Sequence, residues 1–171
     1  LLLGFSPESG WNWQEVGKLG GSVRTINRPH AGWNRLSPDG SQVVFSLRDS
    51  IFAYAADHGE PALLGVHREG SGVFPHAFAW SPDGRRIAYV NGNTNWWYSA
   101  NVEPSSIWVI DAKGGEPVRV TDQDHLNMSP QWLADSRRLL FVSDRDGPRR
   151  VYAVEVDADG PRGSQRGVPG I

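Results

Sequence analysis

The chain has 171 residues, with 17 Lys and Arg against 19 Asp and Glu, a net charge of −2. That length fits one domain, and the balanced charge supplies no basic surface to follow a phosphate backbone, which argues against nucleic acid as a partner. Cysteine is absent, so disulfides, thiolate metal sites and a thiol nucleophile are excluded together. The longest apolar run is far short of the ~20 residues of a membrane helix, so no direct membrane insertion is expected. Leu1-Leu2-Leu3 has neither the charged start nor the cleavage site of a signal peptide. A first residue that is not Met is what a fragment or a processed chain would show.

The 20 Gly and 12 Pro break the chain into short runs rich in β-branched and aromatic residues, and no apolar helical period persists over two turns. In chain order, Phe5-Ser6-Pro7-Glu8 reads as a decayed turn, and Trp11 to Val16 and Ser22 to Ile26 as strands. Trp33 to Leu36 is a strand that enters Ser37-Pro38-Asp39-Gly40. Val43-Val44-Phe45 follows, then Ile51-Phe52, then the Gly59-Glu60-Pro61 turn and Ala62-Leu63-Leu64. The series then repeats. Phe78 to Trp80 enters Ser81-Pro82-Asp83-Gly84, 44 positions after the first such turn, with Ile87-Ala88-Tyr89, Ile107-Trp108, Gly115-Glu116-Pro117 and Val118-Arg119-Val120 behind it. A third series has Gln131 to Leu133, the degenerate turn Ala134-Asp135-Ser136-Arg137, Leu139-Leu140-Phe141, Val151-Tyr152 and Asp159-Gly160-Pro161. Its outer strand is expected to be incomplete, because Gly163 to Ile171 is polar and Gly-rich.

The turns have a mechanism: Pro presets the first angle, Asp bonds its own backbone and Gly accepts a positive φ. The apolar runs behind them suit strands buried on both faces. From Ile51, Ile107 and Val151 the next proline is ten positions away in every copy. Four strands in ~40–45 residues is the size of one propeller blade. The expected fold is therefore all-β: a β-propeller of three to four four-stranded antiparallel blades, either a partial propeller or half of a ring. The expected divisions are 1–30 (end of a preceding blade), 31–70, 71–126 with a long insertion loop, and 127–171. Because closed rings usually have four to eight blades, self-association or the remaining blades of a larger propeller is expected.

The strings W-S-P-D-G-R-R-I-A-Y-V (Trp80 to Val90), S-S-I-W-V-I-D with G-G-E-P-V-R-V-T-D (Ser105 to Asp122) and L-L-F-V-S-D-R-D-G-P-R-R-V-Y (Leu139 to Tyr152) resemble TolB-like, WD-repeat-like β-propeller blades. The resemblance runs from about Ala31 to Pro161 and departs from the pattern at Ala134 and Ser136. It implies a propeller of the kind found in TolB, in prolyl-oligopeptidase-type peptidases and in the C-terminal part of some bacterial Ser/Thr kinases. It also implies a bacterial source, with a preference for an extracytoplasmic, periplasmic location.

In an up-and-down blade the SPDG and GEP turns share one face, and the variable loops share the other. Asp39 to Ile51 spans 12 positions and Asp135 to Val151 spans 16, whereas Asp83 to Ile107 spans 24. The extra residues include Asn95, Trp96, Trp97 and Tyr98, consecutive aromatics in a polar loop. His67, Arg68 and His76 belong to one inter-blade segment on that face, and Asp122, Asp124 and His125 to the other. These are the candidate binding residues, since loops on a rigid scaffold carry binding groups and aromatics with Asn and His suit a peptide, protein or sugar surface. Capping a blade or packing on a neighbour is the other role open to Trp96 and Trp97.

No G-x-S-x-G, H-R-D, D-F-G or H-E-x-x-H motif occurs, so no catalytic residue is assigned. Asp144-Arg145-Asp146-Gly147 and Asp157-Ala158-Asp159-Gly160 lack the further oxygen ligands of a calcium loop and read as turns. No metal or other cofactor is called for. The paired arginines Arg85-Arg86, Arg137-Arg138 and Arg149-Arg150 read as a solvated rim. The reading is a non-catalytic interaction or sensor module that binds a protein or peptide. Alternatives are the propeller of a prolyl-oligopeptidase-like peptidase, the sensory part of a Ser/Thr kinase, or a carbohydrate-binding propeller.

Overall fold

The computed structural model describes residues 2–6, 10–15, 24–26, 34–55, 60–67, 74–92, 103–157 and 160–168. Among these residues every regular element is a strand. The chain divides into two units, Leu1–Gly32 and Trp33–Ile171.

In the first unit, β1 (Leu2–Ser6), β2 (Gly10–Glu15) and β3 (Arg24–Ile26) form an antiparallel sheet in that order. Phe5 pairs with Trp11, and Trp13 with Ile26. The strands expected at Trp11 and Ser22 are β2 and β3. Phe5 and Ser6 end a strand instead of opening a turn, and Pro7 and Glu8 lie outside the described residues.

The second unit holds three four-stranded antiparallel sheets, each wound up and down in sequence order. Blade A is β4 (Asn34–Leu36), β5 (Gln42–Leu47), β6 (Ser50–Ala55) and β7 (Ala62–Val66). Blade B is β8 (His76–Trp80), β9 (Arg86–Gly92), β10 (Ser105–Asp111) and β11 (Val118–Arg119). Blade C is β12 (Asn127–Trp132), β13 (Arg138–Ser143), β14 (Arg150–Asp157) and β15 (Gly160–Gly167). The outer strand of blade C is thus present, contrary to the expectation drawn from its composition. It pairs with β14 from Asp157–Gly160 to Tyr152–Gly167, across a bulge. Backbone pairing requires no apolar side chain, and a polar, Gly-rich sequence suits an exposed edge strand.

The turns show why the repeat signature takes its form. Ser37 Oγ donates to Asp39 Oδ1 at 2.6 Å and accepts the Gln42 N–H at 2.9 Å. Gly40, at φ 76°, closes the turn by donating to the Ser37 carbonyl at 2.9 Å. Ser81, Asp83, Gly84 and Arg86 repeat every part of this. In blade C the turn survives without Pro or Gly. Ser136 takes the left-handed position at φ 55°, and Asp135 Oδ1 accepts the Arg137 and Arg138 amides, each at 3.0 Å.

Packing between blades explains the continuous apolar runs. Ile87 and Tyr89 face blade A, with Trp80, Phe78, Trp108 and Ile110, against Val44, Ile51 and Ala53. Ala88 and Val90 face blade C, with Ile107 and Val109, against Trp132, Leu139, Phe141, Tyr152 and Val154. Strand β9 is therefore buried on both sides, each large side chain contributing about 1.5–3 kcal/mol of transfer free energy. Two indoles lock the stack. Trp80 Nε1 donates to the Arg35 carbonyl and Trp132 Nε1 to the Ala79 carbonyl, each at 3.1 Å, so each reaches back one blade.

At the outer rim the Gly-Glu-Pro turn of blade B docks on blade A, where Gly115 N donates to Leu64 O at 2.9 Å. Gly65 permits that approach: a Cβ there would stand 2.7 Å from Ile110 Cδ1 and 2.9 Å from the Gly115 carbonyl oxygen. Gly65→Ala should cost about 1–3 kcal/mol by overpacking against backbone. Gly40→Ala, which meets open space, should cost about 1–2 kcal/mol for its positive φ alone. Urea unfolding of both variants checks the pair, with the whole Gly65 loss attributed to displacement of the blade B turn.

Candidate functional site

The hydrogen bonds confirm how the faces divide. Ala112 N donates to Arg85 O and Val156 N to Arg137 O, each at 2.8 Å, so the first and third turns of a blade lie together. The opposite face carries the Arg48-Asp49 turn, the Asp144 to Arg149 turn, the inter-blade segments and the two ends of the long loop. Asn95, Trp96, Trp97, Tyr98 and Arg68 lie outside the described residues. The loop leaves at Gly92 and returns at Ser105, and these two residues are the last pair of the β9–β10 ladder.

The structure separates the remaining candidates. His67 is buried: its Nδ1 lies 3.1 Å from Tyr89 Oη, and its ring stands edge-on to Trp108 at 4.6 Å. It acts as a wall of the blade A–B core. His76 opens β8, is buried, and has Nδ1 3.2 Å from the Phe74 carbonyl. Burial lowers its pKa, with the Phe74 carbonyl opposing that shift. Asp124 is exposed and His125 half-buried, in the segment that joins blades B and C.

Here the organising residue is Asp122. One carboxylate oxygen accepts from His125 Nδ1 at 2.8 Å and from the Asp124 amide at 3.2 Å, while Arg145 Nη2 donates to the other. Burial works against the Asp122 charge, but His125, then Arg145, then the amide outweigh it, and the carboxyl is held below its ordinary range. Arg145 in turn lies 5.6 Å from the Tyr152 ring centroid, and Tyr152 Oη donates to Asp146 Oδ2 at 2.8 Å. Asp144 Oδ1 accepts the Leu126 amide at 3.0 Å. The Asp-Arg-Asp-Gly segment is thus a clasp between the inter-blade segment and blade C. Sequence reading passed over Arg145, although its place in the second-to-third-strand turn puts it on the same face as Asp122.

Two clefts, which the sequence did not suggest, lie on the turn face. The one between blades A and B has a volume of about 480 Å³, with Asp39, Trp80, Asp83, Arg85, Asp111 and Lys113 in its walls. The one between blades B and C has about 610 Å³ and is lined by Arg86, Glu116, Asp135, Arg137, Glu155 and Asp157 among others. Arg86 is spent on structure. It lies 4.7 Å from the Trp132 ring centroid, and donates to Val156 O at 2.7 Å and to Ser136 O. Among the described residues no three His, Asp or Glu side chains gather as a metal site.

No protein-family model matches the chain. Over 79 residues, 46% of this chain and 12% of the relative, it is 37% identical to YuxL, an uncharacterised peptidase of Bacillus subtilis. The crystal structure of TolB from Acinetobacter baumannii matches 90% of this chain with a TM-score of 0.65 at 16% identity, and 37% of that protein is covered. The tricorn protease matches equally well, at TM-score 0.65 and 17% identity over 90% of this chain and 16% of its own. The fold is that of a TolB-type β-propeller. The chain therefore spans only a part of the proteins it is similar to.

Among the described residues of the propeller's loop face, two large apolar side chains are exposed: Leu47, at 49%, at the end of β5, and Phe74, at 37%, ahead of β8. Since β5 packs on β8, both stand at the same edge of the blade A–B junction. Among the described residues of that face, Asp122, Asp144 and Arg145 are committed to holding the inter-blade segment on blade C. Arg145→Met should cost about 2 kcal/mol in denaturant unfolding, the loss of a charge-assisted hydrogen bond that leaves Asp122 without its cation. His76 gives a pH signature. Its folded pKa lies below its unfolded one, so the unfolded chain binds the proton first and stability falls as pH drops below about 6.5. Stability measured from about pH 7 to 5 should decline less steeply in His76→Phe than in the wild type.

Proposed function

We propose that this propeller segment is a non-catalytic interaction module that binds a protein or peptide through its loop face. The observation that carries this reading is the exposure of Phe74 and Leu47 on the face where the chain leaves at Gly92 and returns at Ser105, with Asn95, Trp96, Trp97 and Tyr98 in the intervening sequence. Apolar side chains at the rim of a rigid scaffold gain free energy when a partner covers them, and aromatic anchors surrounded by polar groups are the usual centre of such a contact. Arg68, Asp124 and His125 supply the polar surround in this reading, while His67 and His76 support it from below. A periplasmic location belongs to the same proposal, through the likeness of fold to TolB.

The likeness to YuxL favours a second reading, in which the segment is the propeller of a peptidase and its loop face meets peptide substrates or the catalytic domain. That reading requires an α/β domain with a Ser nucleophile on the same polypeptide, which the complete gene would reveal.

Selection from a random peptide library against the purified chain tests the first reading. A selected peptide, titrated by fluorescence anisotropy, should bind about tenfold or more weakly to Trp97→Ala and to Phe74→Asp. Leu63→Asp, on the outer strand, should leave binding intact. Failure to enrich any peptide, or equal loss with Leu63→Asp, would count against the loop face.

A further inference from the structure

The two clefts on the turn face are built from equivalent positions, and one of those positions differs. Ser81 Oγ accepts the Arg86 amide and Ser37 Oγ the Gln42 amide, each at 2.9 Å, so Gln42 holds in blade A the place of Arg86 in blade B. Gly84 N donates to Ser81 O at 2.8 Å and Ser136 N to Leu133 O at 3.0 Å, which makes Gly84 the counterpart of Ser136. The bonds from Ala112 N to Arg85 O and from Val156 N to Arg137 O match Ala112 with Val156 in the same way. Trp80 and Trp132 are equivalent through their indole bonds to the preceding blade.

Between blades B and C these positions form a seat for a guanidinium. Arg86 Cζ lies 4.7 Å from the Trp132 ring centroid, Nη1 donates to Val156 O at 2.7 Å, and Nη2 donates to Ser136 O. Between blades A and B the same ring and carbonyls belong to Trp80, Ala112 and Gly84, and all three residues line the cleft of about 480 Å³. Gln42, also in its wall, is exposed and uncharged. No described residue donates to the Gly84 or Ala112 carbonyl. Asp39, Asp83 and Asp111 stand in the walls with only Arg85 and Lys113 as cations, so the cleft favours one more positive charge.

We propose that the cleft between blades A and B binds an arginine side chain of a partner protein, in the seat that Arg86 fills at the next junction. The guanidinium lies over Trp80 and donates one arm to Ala112 O and the other to Gly84 O. Lysine suits the seat less well, because one ammonium cannot both span two carbonyls and stack on the ring. The cleft is on the turn face, so it stands whether or not the loop face binds a peptide.

The blocked peptide acetyl-Gly-Arg-Gly-amide is titrated into the purified chain at constant ionic strength, with NMR detection at Trp80 Nε1 and at the Gly84 and Ala112 amides. A saturable shift at all three, with a Kd of roughly 1–10 mM, is the expected result. The lysine peptide should bind at least about threefold more weakly. The citrulline peptide, which keeps the shape without the charge, should give no saturable shift. Gln42→Arg supplies the second arm: the chain's own guanidinium then fills the cleft, raising Tm by about 2–4 °C and abolishing the shift. The absence of a saturable shift, equal binding of the citrulline peptide, or a shift that Gln42→Arg leaves unchanged overturns the proposal. Gln42→Arg with no rise in Tm overturns it too, because a seat that gains nothing from an arginine of its own chain gains nothing from a partner's.

Discussion

Everything in the stack depends on one constraint: a four-stranded antiparallel sheet with two apolar faces has to be covered on both. Blade B shows the solution. Its alternate residues divide between two neighbours, and an indole from each following blade fixes the register by donating to a carbonyl of the blade before it. The apolar contact is non-directional and would tolerate sliding, whereas a buried N–H must find its acceptor or cost about 1–3 kcal/mol. Burial supplies the energy and the indole supplies the position.

The two ends of the blades answer that constraint differently. On the turn face, short Ser-Pro-Asp-Gly turns spend their polar groups on themselves, and the carboxyls of Asp39 and Asp135 are held down at about 2. For Asp39 the first cause is the Ser37 hydroxyl, and for Asp135 it is the Arg137 amide. The charged clefts lie between these stacked corners, with Asp39, Asp83 and Asp135 in their walls. On the loop face, the inter-blade segment has to be tied down by side chains, and Asp122 with Arg145 and His125 does so. Among the described residues of that face, that clasp leaves the apolar pair Leu47 and Phe74 open to solvent.

Much of this was legible in the sequence. The Ser-Pro-Asp-Gly turns, the aliphatic-x-aromatic strands and the ten-residue interval to each proline are local patterns, and they gave the strands, their order and their shared face. What escaped depends on residues far apart in sequence meeting in space. Ser136 replaces a turn glycine, yet its Oγ accepts the Asp83 amide at 3.0 Å, so a departure from the repeat became a link between blades. Bulges in the first strands of blades B and C put Ala77 and Ser129 at φ 51° and 55°, positions that no side-chain pattern announces. Strand β15 was missed because composition was read for burial, and an edge strand needs only its backbone. Arg145 was missed because a charged turn residue looks the same whether solvated or clasped. His67 and His76 were placed on the correct face, but on its inner side. The aromatic loop residues Asn95 to Tyr98 lie outside the described residues.

The claim that indole-to-carbonyl bonds register successive blades is tested most directly by hydrogen exchange at the indole nitrogens, followed by NMR. The account predicts that the Nε1 protons of Trp80 and Trp132 exchange at least ~1,000-fold more slowly than a free indole and lose that protection only with global unfolding. Exchange within about tenfold of the free indole at either residue would contradict it.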